Sequence, residues 1–190
     1  MKKGSLVAKF AVALLALGLW QFGEAAYIYL KAELAQQLIK AAWNRTRNGA
    51  CAVKPWPWAD TWPVARLTVP TRKIDLYVLA DASGRTLAFG PGHLSGSAMP
   101  GEPGDILISA HRDTHFAFLE LLLPGDEVCI QTPRGALFRY RVVGAEVVDK
   151  SALGRVLSDD GERLTLVTCY PFRAINPGGP LRYLVTALRA

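Results

Sequence analysis

Cysteine, histidine and methionine are scarce in this chain: 190 residues hold three cysteines, three histidines and two methionines. Three cysteines, Cys51, Cys129 and Cys169, are too few for a disulfide scaffold of this length. If the chain is exported, their odd number leaves at least one thiol free. A Cys51–Cys129 pair stays open, since pairing demands a close geometry that sequence does not contain. Also missing is any lysine and arginine cluster interleaved with aromatics, so the net charge of +6 and the pI of 9.4 do not point to nucleic acid. The excess charge sits largely on scattered arginines and suits solubility near an anionic membrane surface. There is no internal repeat and no low-complexity tract. Beyond Arg66 only "THFAFLELLL" reads as helical, and it is short, which argues against an alternating βαβ chain with a parallel sheet.

What the chain does have is apolar residues, 51% of the total, enough for one domain with a full core and something more. The additional piece is N-terminal. Lys2, Lys3 and Lys9 precede a run from Phe10 to Leu30 broken only by Gln21, Gly23 and Glu24, and Lys31 closes it. About 20 mostly apolar residues cross a bilayer as one helix. The strictly apolar part, Phe10 to Trp20, has the length of a signal-peptide core. Against cleavage, "FGEAAY" is a poor small-residue site, and Trp20, Tyr27 and Tyr29 suit the aromatic belt of a retained anchor. The preferred reading is an uncleaved signal anchor over residues 1–31. Lysines ahead of the span place its N-terminus in the cytoplasm and the rest of the chain outside.

After the anchor, "KAELAQQLIKAAWNRTRNG" combines strong helix formers with a glycine stop at Gly49, a stalk helix within a 32–55 stalk and linker. "KPWPWADTWPVARL" then brings three prolines and three tryptophans, which ends the helix and marks a boundary. So dense an aromatic segment is expected to pack against the following domain, residues 56–190. There the pattern turns to short runs of β type: "ARLTVP", "DLYVLA", "TLAFG", "GDILISAH", "DEVCIQT", "ALFRYRVVGAEVV", "RLTLVTCY" and "LRYLVTAL". Between them "DASGR", "PGEPGD", "PGD" and "TPRG" supply the positive φ of glycine and the fixed φ of proline that turns require. Eight such runs predict an all-β sandwich or barrel.

Two strand ends draw attention. "RLTLVTCY" ends on Cys169 and stops at Pro171; "GDILISAH" ends on His111. A cysteine nucleophile needs a base or ion-pair partner and a donor for the oxyanion, and strand ends are where scaffolds present such groups. The competing reading of Cys169 is a small buried filler. For His93, in "FGPGHLSGS", and His115, at the start of the short helix, a surface or capping role is expected.

"TLVTCYPF", "AHRDTHFAFL" and "GGPLRYLV" together resemble the sortases, cysteine transpeptidases whose signature is a TLxTC strand, preceded by a histidine on an earlier strand and followed by an arginine on the next. The resemblance runs from about Pro57 to the C-terminus and is greatest to the Gram-negative, proteobacterial branch, in which "FGPGH", a PGE-type turn and "TCYPF" recur together. It implies an eight-stranded closed antiparallel barrel with short helices behind one transmembrane helix. It also implies Cys169 as nucleophile, His111 as catalytic histidine and Arg182 as the arginine that steadies the oxyanion. Sortases commonly carry glycine before the histidine, where this chain has Ala110. The implied reaction cleaves a C-terminal LPxTG-like sorting signal through a thioester and passes the target protein to an amine. No cofactor, metal or ATP is expected, and the site would sit on the periplasmic side of the inner membrane.

Arg173 also lies near Cys169, but in the loop-like "FRAINPGG", where it reads as a solvated charge. Arg182 stands on the alternating strand "PLRYLV", which holds a side chain more firmly. Two alternatives compete with the sortase reading. An L,D-transpeptidase would carry His-Gly just before the cysteine, where Val167 and Thr168 stand. A membrane-tethered β-barrel that only binds would keep Cys169 as buried filler.

Overall fold

The structure is a computed structural model that describes residues 3–155, 162–174, 176 and 178–190. The chain divides into two units, Met1–Gln37 and Leu38–Ala190. The first consists of most of helix α1 (Lys3–Arg47), which by length and composition can cross a membrane. Its apolar side chains, among them Phe10, Leu15, Trp20, Phe22 and Tyr29, stand exposed.

The second unit opens with the last turns of α1. Ile39, Ala42 and Trp43 are buried there, and the Trp43 ring packs 5.8 Å from Tyr77. This end of the expected stalk therefore docks on the barrel instead of standing free. The helix stops at the expected glycine for a definable reason. Gly49 adopts φ 101°, its N–H bonds the Thr46 carbonyl at 3.1 Å, and the Ala50 N–H bonds the Arg45 carbonyl at 3.3 Å. That pair of bonds is a Schellman motif, and Arg45 and Arg47 in the last turn complement the helix dipole. The tryptophan-rich segment then lies along the domain: Trp56 meets Phe89 edge-on at 4.9 Å, and the Thr61 hydroxyl donates to the Ala80 carbonyl. Trp58 alone turns outward, 80% exposed.

Eight strands follow: β1 (Pro63–Val69), β2 (Ile74–Ala80), β3 (Gly92–His93), β4 (Ile106–Ser109), β5 (Glu127–Gln131), β6 (Leu137–Asp149), β7 (Arg163–Cys169) and β8 (Leu181–Arg189). They close into a barrel in the order β1-β2-β3-β4-β7-β8-β6-β5, the all-β closed barrel expected. Six neighbouring pairs are antiparallel, whereas β2/β3 and β4/β7 are parallel. On β1 the strict alternation of buried and half-buried residues points Ala65, Leu67 and Val69 inward. The interior is filled by Leu67, Val78, Ile108, Ile130, Leu164 and Leu166, and by Phe116, Phe118 and Leu119 of the predicted short helix. That helix is a 3-10 turn, Ala117–Leu121. Strand β7 is buried from Leu164 to Thr168 on both faces, because Val167 packs outside the barrel with Leu107 and Leu184. This is the continuous burial typical of a strand with a parallel neighbour.

One expected strand is absent. "TLAFG" does not pair; Gly84–Leu87 instead forms a short helix, α2, whose first turn is capped by the Ser83 hydroxyl accepting from the Thr86 N–H at 3.4 Å. A local cap of this kind outcompetes a weak alternation. The strand comes later, at β3, where Gly92 is required: a Cβ there would lie 2.4 Å from the Asp81 carbonyl oxygen.

Candidate active site

The parallel pairing of β4 with β7 sets Ile106 opposite Leu164 and Ser109 opposite Val167. Two residues beyond each of the last pair come His111 and Cys169. On the other side of β7, Cys169 is the direct cross-strand partner of Arg182. Directly opposed residues of an antiparallel pair share a face. Three adjacent strands thus bring the thiol, the imidazole-bearing residue and the arginine to one end of the barrel. Cys169 is half-buried, His111 exposed and Arg182 half-buried.

Two bonds hold these strand ends in register. The buried Thr168 hydroxyl, one residue before the thiol, donates to the Ala110 carbonyl, one residue before the histidine, at 2.7 Å. At the far end of the same strands, the buried Asp105 carboxylate accepts from the Arg163 backbone N–H at 3.1 Å and from its Nη2 at 2.7 Å. Both strands are pinned at both ends, so a slip that would part His111 from Cys169 breaks buried polar bonds.

The arginines differ as their sequence contexts suggested. Arg182 is anchored through Nη1, which donates to the Gly179 carbonyl at 2.7 Å and the Leu181 carbonyl at 2.8 Å. Arg173 has an 89% exposed side chain and a 3.8 Å ion pair with Glu120. Just after Cys169 in the chain, Tyr170 stacks on Tyr183 with centroids 6.2 Å apart, and Phe172 sits edge-on to Tyr183 at 5.1 Å.

The remaining histidines and cysteines separate clearly. The surface or capping role expected for His93 is corrected: it is buried on β3, its Nε2 2.9 Å from the Ala98 carbonyl and 3.1 Å from the Ser97 hydroxyl. That hydroxyl also accepts from the Leu107 N–H at 3.1 Å, so His93 fastens the "GHLSGS" loop to β4. His115 is half-buried just ahead of the 3-10 turn. Burial first, then the neighbouring charge of His111, lower its basicity, while Asp113 opposes them. All three cysteines are free. Cys51 is exposed; Cys129 is buried on β5, where burial and the Glu127 carboxylate, accepting from its thiol at 3.3 Å, push its pKa up. Among the described residues no group of three or more His, Cys, Asp or Glu side chains gathers as a metal ion would need.

Sequence reasoning missed Thr168, Asp105 with Arg163, and Arg112, whose guanidinium reaches across to the β7–β8 connection. The signal in the sequence was the second threonine of "TLVTC", a hydroxyl directly before the cysteine.

A closed eight-stranded barrel thus presents a free thiol at the end of one strand and brings a histidine and an arginine from its two neighbours to the same end. Residues 67–190 match the family described as the sortase domain, and the chain belongs to that family. It is 33% identical over 124 residues to Sortase D of Bacillus subtilis (strain 168), a stretch that covers 65% of this chain and 62% of that relative's length. Among solved structures it resembles a Clostridium perfringens Sortase D5 transpeptidase, with 26% identity and a TM-score of 0.59 over 68% of this chain and 79% of that one. It also resembles Sortase A from Corynebacterium diphtheriae, with 26% identity and a TM-score of 0.61 over 82% and 84% of the two chains.

Proposed function

We propose that this protein is a membrane-anchored cysteine transpeptidase that cleaves a C-terminal LPxTG-like sorting signal and joins the target protein to an amine. The Cys169 thiolate attacks the scissile carbonyl. As the tetrahedral intermediate collapses, the C–N bond breaks and His111, as imidazolium, protonates the departing amine, which leaves a thioester on Cys169. An acceptor amine then attacks the thioester, His111 takes up its proton, and a new amide forms as the thiolate leaves. One peptide bond is exchanged for another, so no energy source is consumed. Arg182 supplies planar, fixed donors to the oxyanion of both tetrahedral intermediates.

The observation that carries this reading is the register that sets Cys169 opposite Arg182, with His111 leaving the adjacent parallel strand at the same end. Residues 1–31 act as the anchor, 32–55 as stalk and linker, and 56–190 as the catalytic barrel. The lysines ahead of the span favour a barrel on the periplasmic side of an inner membrane. The Gram-negative placement rests on "FGPGH", the PGE-type turn and "TCYPF"; the relatives named above come from Bacillus, Clostridium and Corynebacterium.

The test is transfer. The detergent-solubilised full chain, given a peptide with an LPxTG-like signal and a small primary amine, should yield the cleaved peptide joined to the amine, and Cys169→Ala should yield none. Equal product from Cys169→Ala would overturn the reading.

A further inference from the structure

The residue after the histidine does something that its position in the sequence does not announce. Arg112, three residues past the end of β4, is half-buried. Its Nη2 donates to the Ala174 carbonyl at 2.9 Å and to the Asn176 carbonyl at 3.2 Å, across sequence separations of 62 and 64 residues. Both carbonyls belong to the connection between β7 and β8, shortly after Cys169. The same connection is gripped from its other end by Arg182, through the Gly179 carbonyl. One guanidinium from the histidine's segment and one from β8 therefore hold the stretch of backbone that leaves the thiol.

We propose that Arg112 is a positioning residue for the transfer reaction: by holding the Ala174 and Asn176 carbonyls it steadies the connection whose Gly179 carbonyl seats the Arg182 guanidinium. The inference relies on the transpeptidase reading and extends it. Donors for an oxyanion act by being preorganised, so the value of Arg182 depends on the firmness of the carbonyl that anchors its Nη1. A charge-assisted bond to a carbonyl is stronger than a neutral one, and Arg112 makes two from a single nitrogen. Nothing places Arg112 against the reacting atoms, so its effect is felt through the connection. The fork geometry is not used here, because one nitrogen serves both carbonyls. A lysine ammonium, with three rotatable donors, can therefore take its place. This contrasts with Arg182, where planarity matters.

The experiment has two arms, both on the detergent-solubilised full chain. In the first, transfer kinetics are measured for Arg112→Ala, Arg112→Lys, Arg182→Ala and the Arg112→Ala/Arg182→Ala double variant, with Arg134→Ala, on the exposed β5–β6 turn, as control. Arg112→Ala should lower kcat by about 10- to 100-fold, the scale on which a misplacement away from the chemistry acts. KM should stay within about 3-fold, Arg112→Lys should recover most of the loss, and the double variant should be no worse than Arg182→Ala alone. In the second arm, hydrogen exchange of the peptide covering residues 170–180 should quicken in Arg112→Ala and stay at the parental rate in Arg134→Ala. Normal kcat in Arg112→Ala, or losses that multiply independently in the double variant, would overturn the proposal. If Arg112→Ala does not fold, Arg112→Gln takes its place with the same expectations. If the parent chain transfers nothing, the transpeptidase reading fails on its own, and unchanged exchange at 170–180 would still refute the hold of Arg112 on the connection.

Discussion

Thr168→Val removes one oxygen atom and should be felt both in stability and in turnover. The Thr168 side chain is buried between β7 and β4, and its hydroxyl donates to the Ala110 carbonyl at 2.7 Å. Valine keeps the branched shape but offers that carbonyl an apolar methyl. Leaving a buried acceptor unsatisfied costs about 1–3 kcal/mol. For a chain of this size each kcal/mol moves Tm by about 2–4 °C, so the variant should unfold about 2–12 °C lower. Near-ultraviolet circular dichroism of the solubilised full chain is the suitable assay, because the aromatic signal reports barrel packing even if α1 remains helical. Turnover should fall as well, since the bond joins the residues that precede Cys169 and His111. Thr168→Ser keeps the hydroxyl and loses only a methyl, so it should be closer to the parent in both respects. A valine variant as stable and as active as the parent, or a serine variant worse than valine, would refute the view that this hydroxyl aligns the two strand ends.

Other outcomes follow from the same geometry. Arg182→Ala should lose activity by about 10²-fold or more, the scale of removing one oxyanion donor, and Arg182→Lys should restore little. Arg173→Ala, at a solvated side chain, should mainly shift KM; steady-state kinetics of the three variants decide the assignment. His111→Ala should cost about 10²–10⁴-fold in turnover, as loss of an acid-base group does. His93→Ala should chiefly lower Tm, because that ring fastens a loop to β4. His115 bears on pH. Its folded basicity is lowered by burial and then by His111, whereas the unfolded group takes up a proton near about pH 6.5. Below that pH the unfolded chain therefore binds more protons than the folded one, and stability falls as pH falls until the folded group titrates too. Above about pH 6.5 the residue contributes no pH dependence. His115→Gln should flatten the dependence of Tm on pH in the acid window and leave neutral pH unchanged.

The barrel was largely readable in the sequence because short runs of β type are split by turn residues. "ARLTVP" carries the period-two signal that points Leu67 inward, and the turns between strands announce themselves by glycine and proline. The stop of α1 at Gly49 was legible for the same reason, a single residue with a backbone requirement. What alternation does not encode is the partner of each strand. The two-residue β3 is too short to carry a period, and the parallel pairing of β4 with β7 joins segments about 58 residues apart. In α2 the serine cap overrode a stretch that read as strand. The candidate site was legible as three residue types at strand ends. The groups that align them were not, because the links of Thr168 to Ala110, Arg163 to Asp105 and Arg112 to Ala174 all span distant parts of the chain.

The central claim is that Cys169 carries the target protein as a thioester, and intact-mass spectrometry tests it most directly. The full chain is incubated with an LPxTG-like peptide in the absence of an amine acceptor and quenched in acid. An adduct equal to the peptide minus its leaving group should form, mapped to Cys169, released by hydroxylamine and missing in Cys169→Ala. An adduct on Cys51, or none in a preparation that still transfers the peptide, would contradict it.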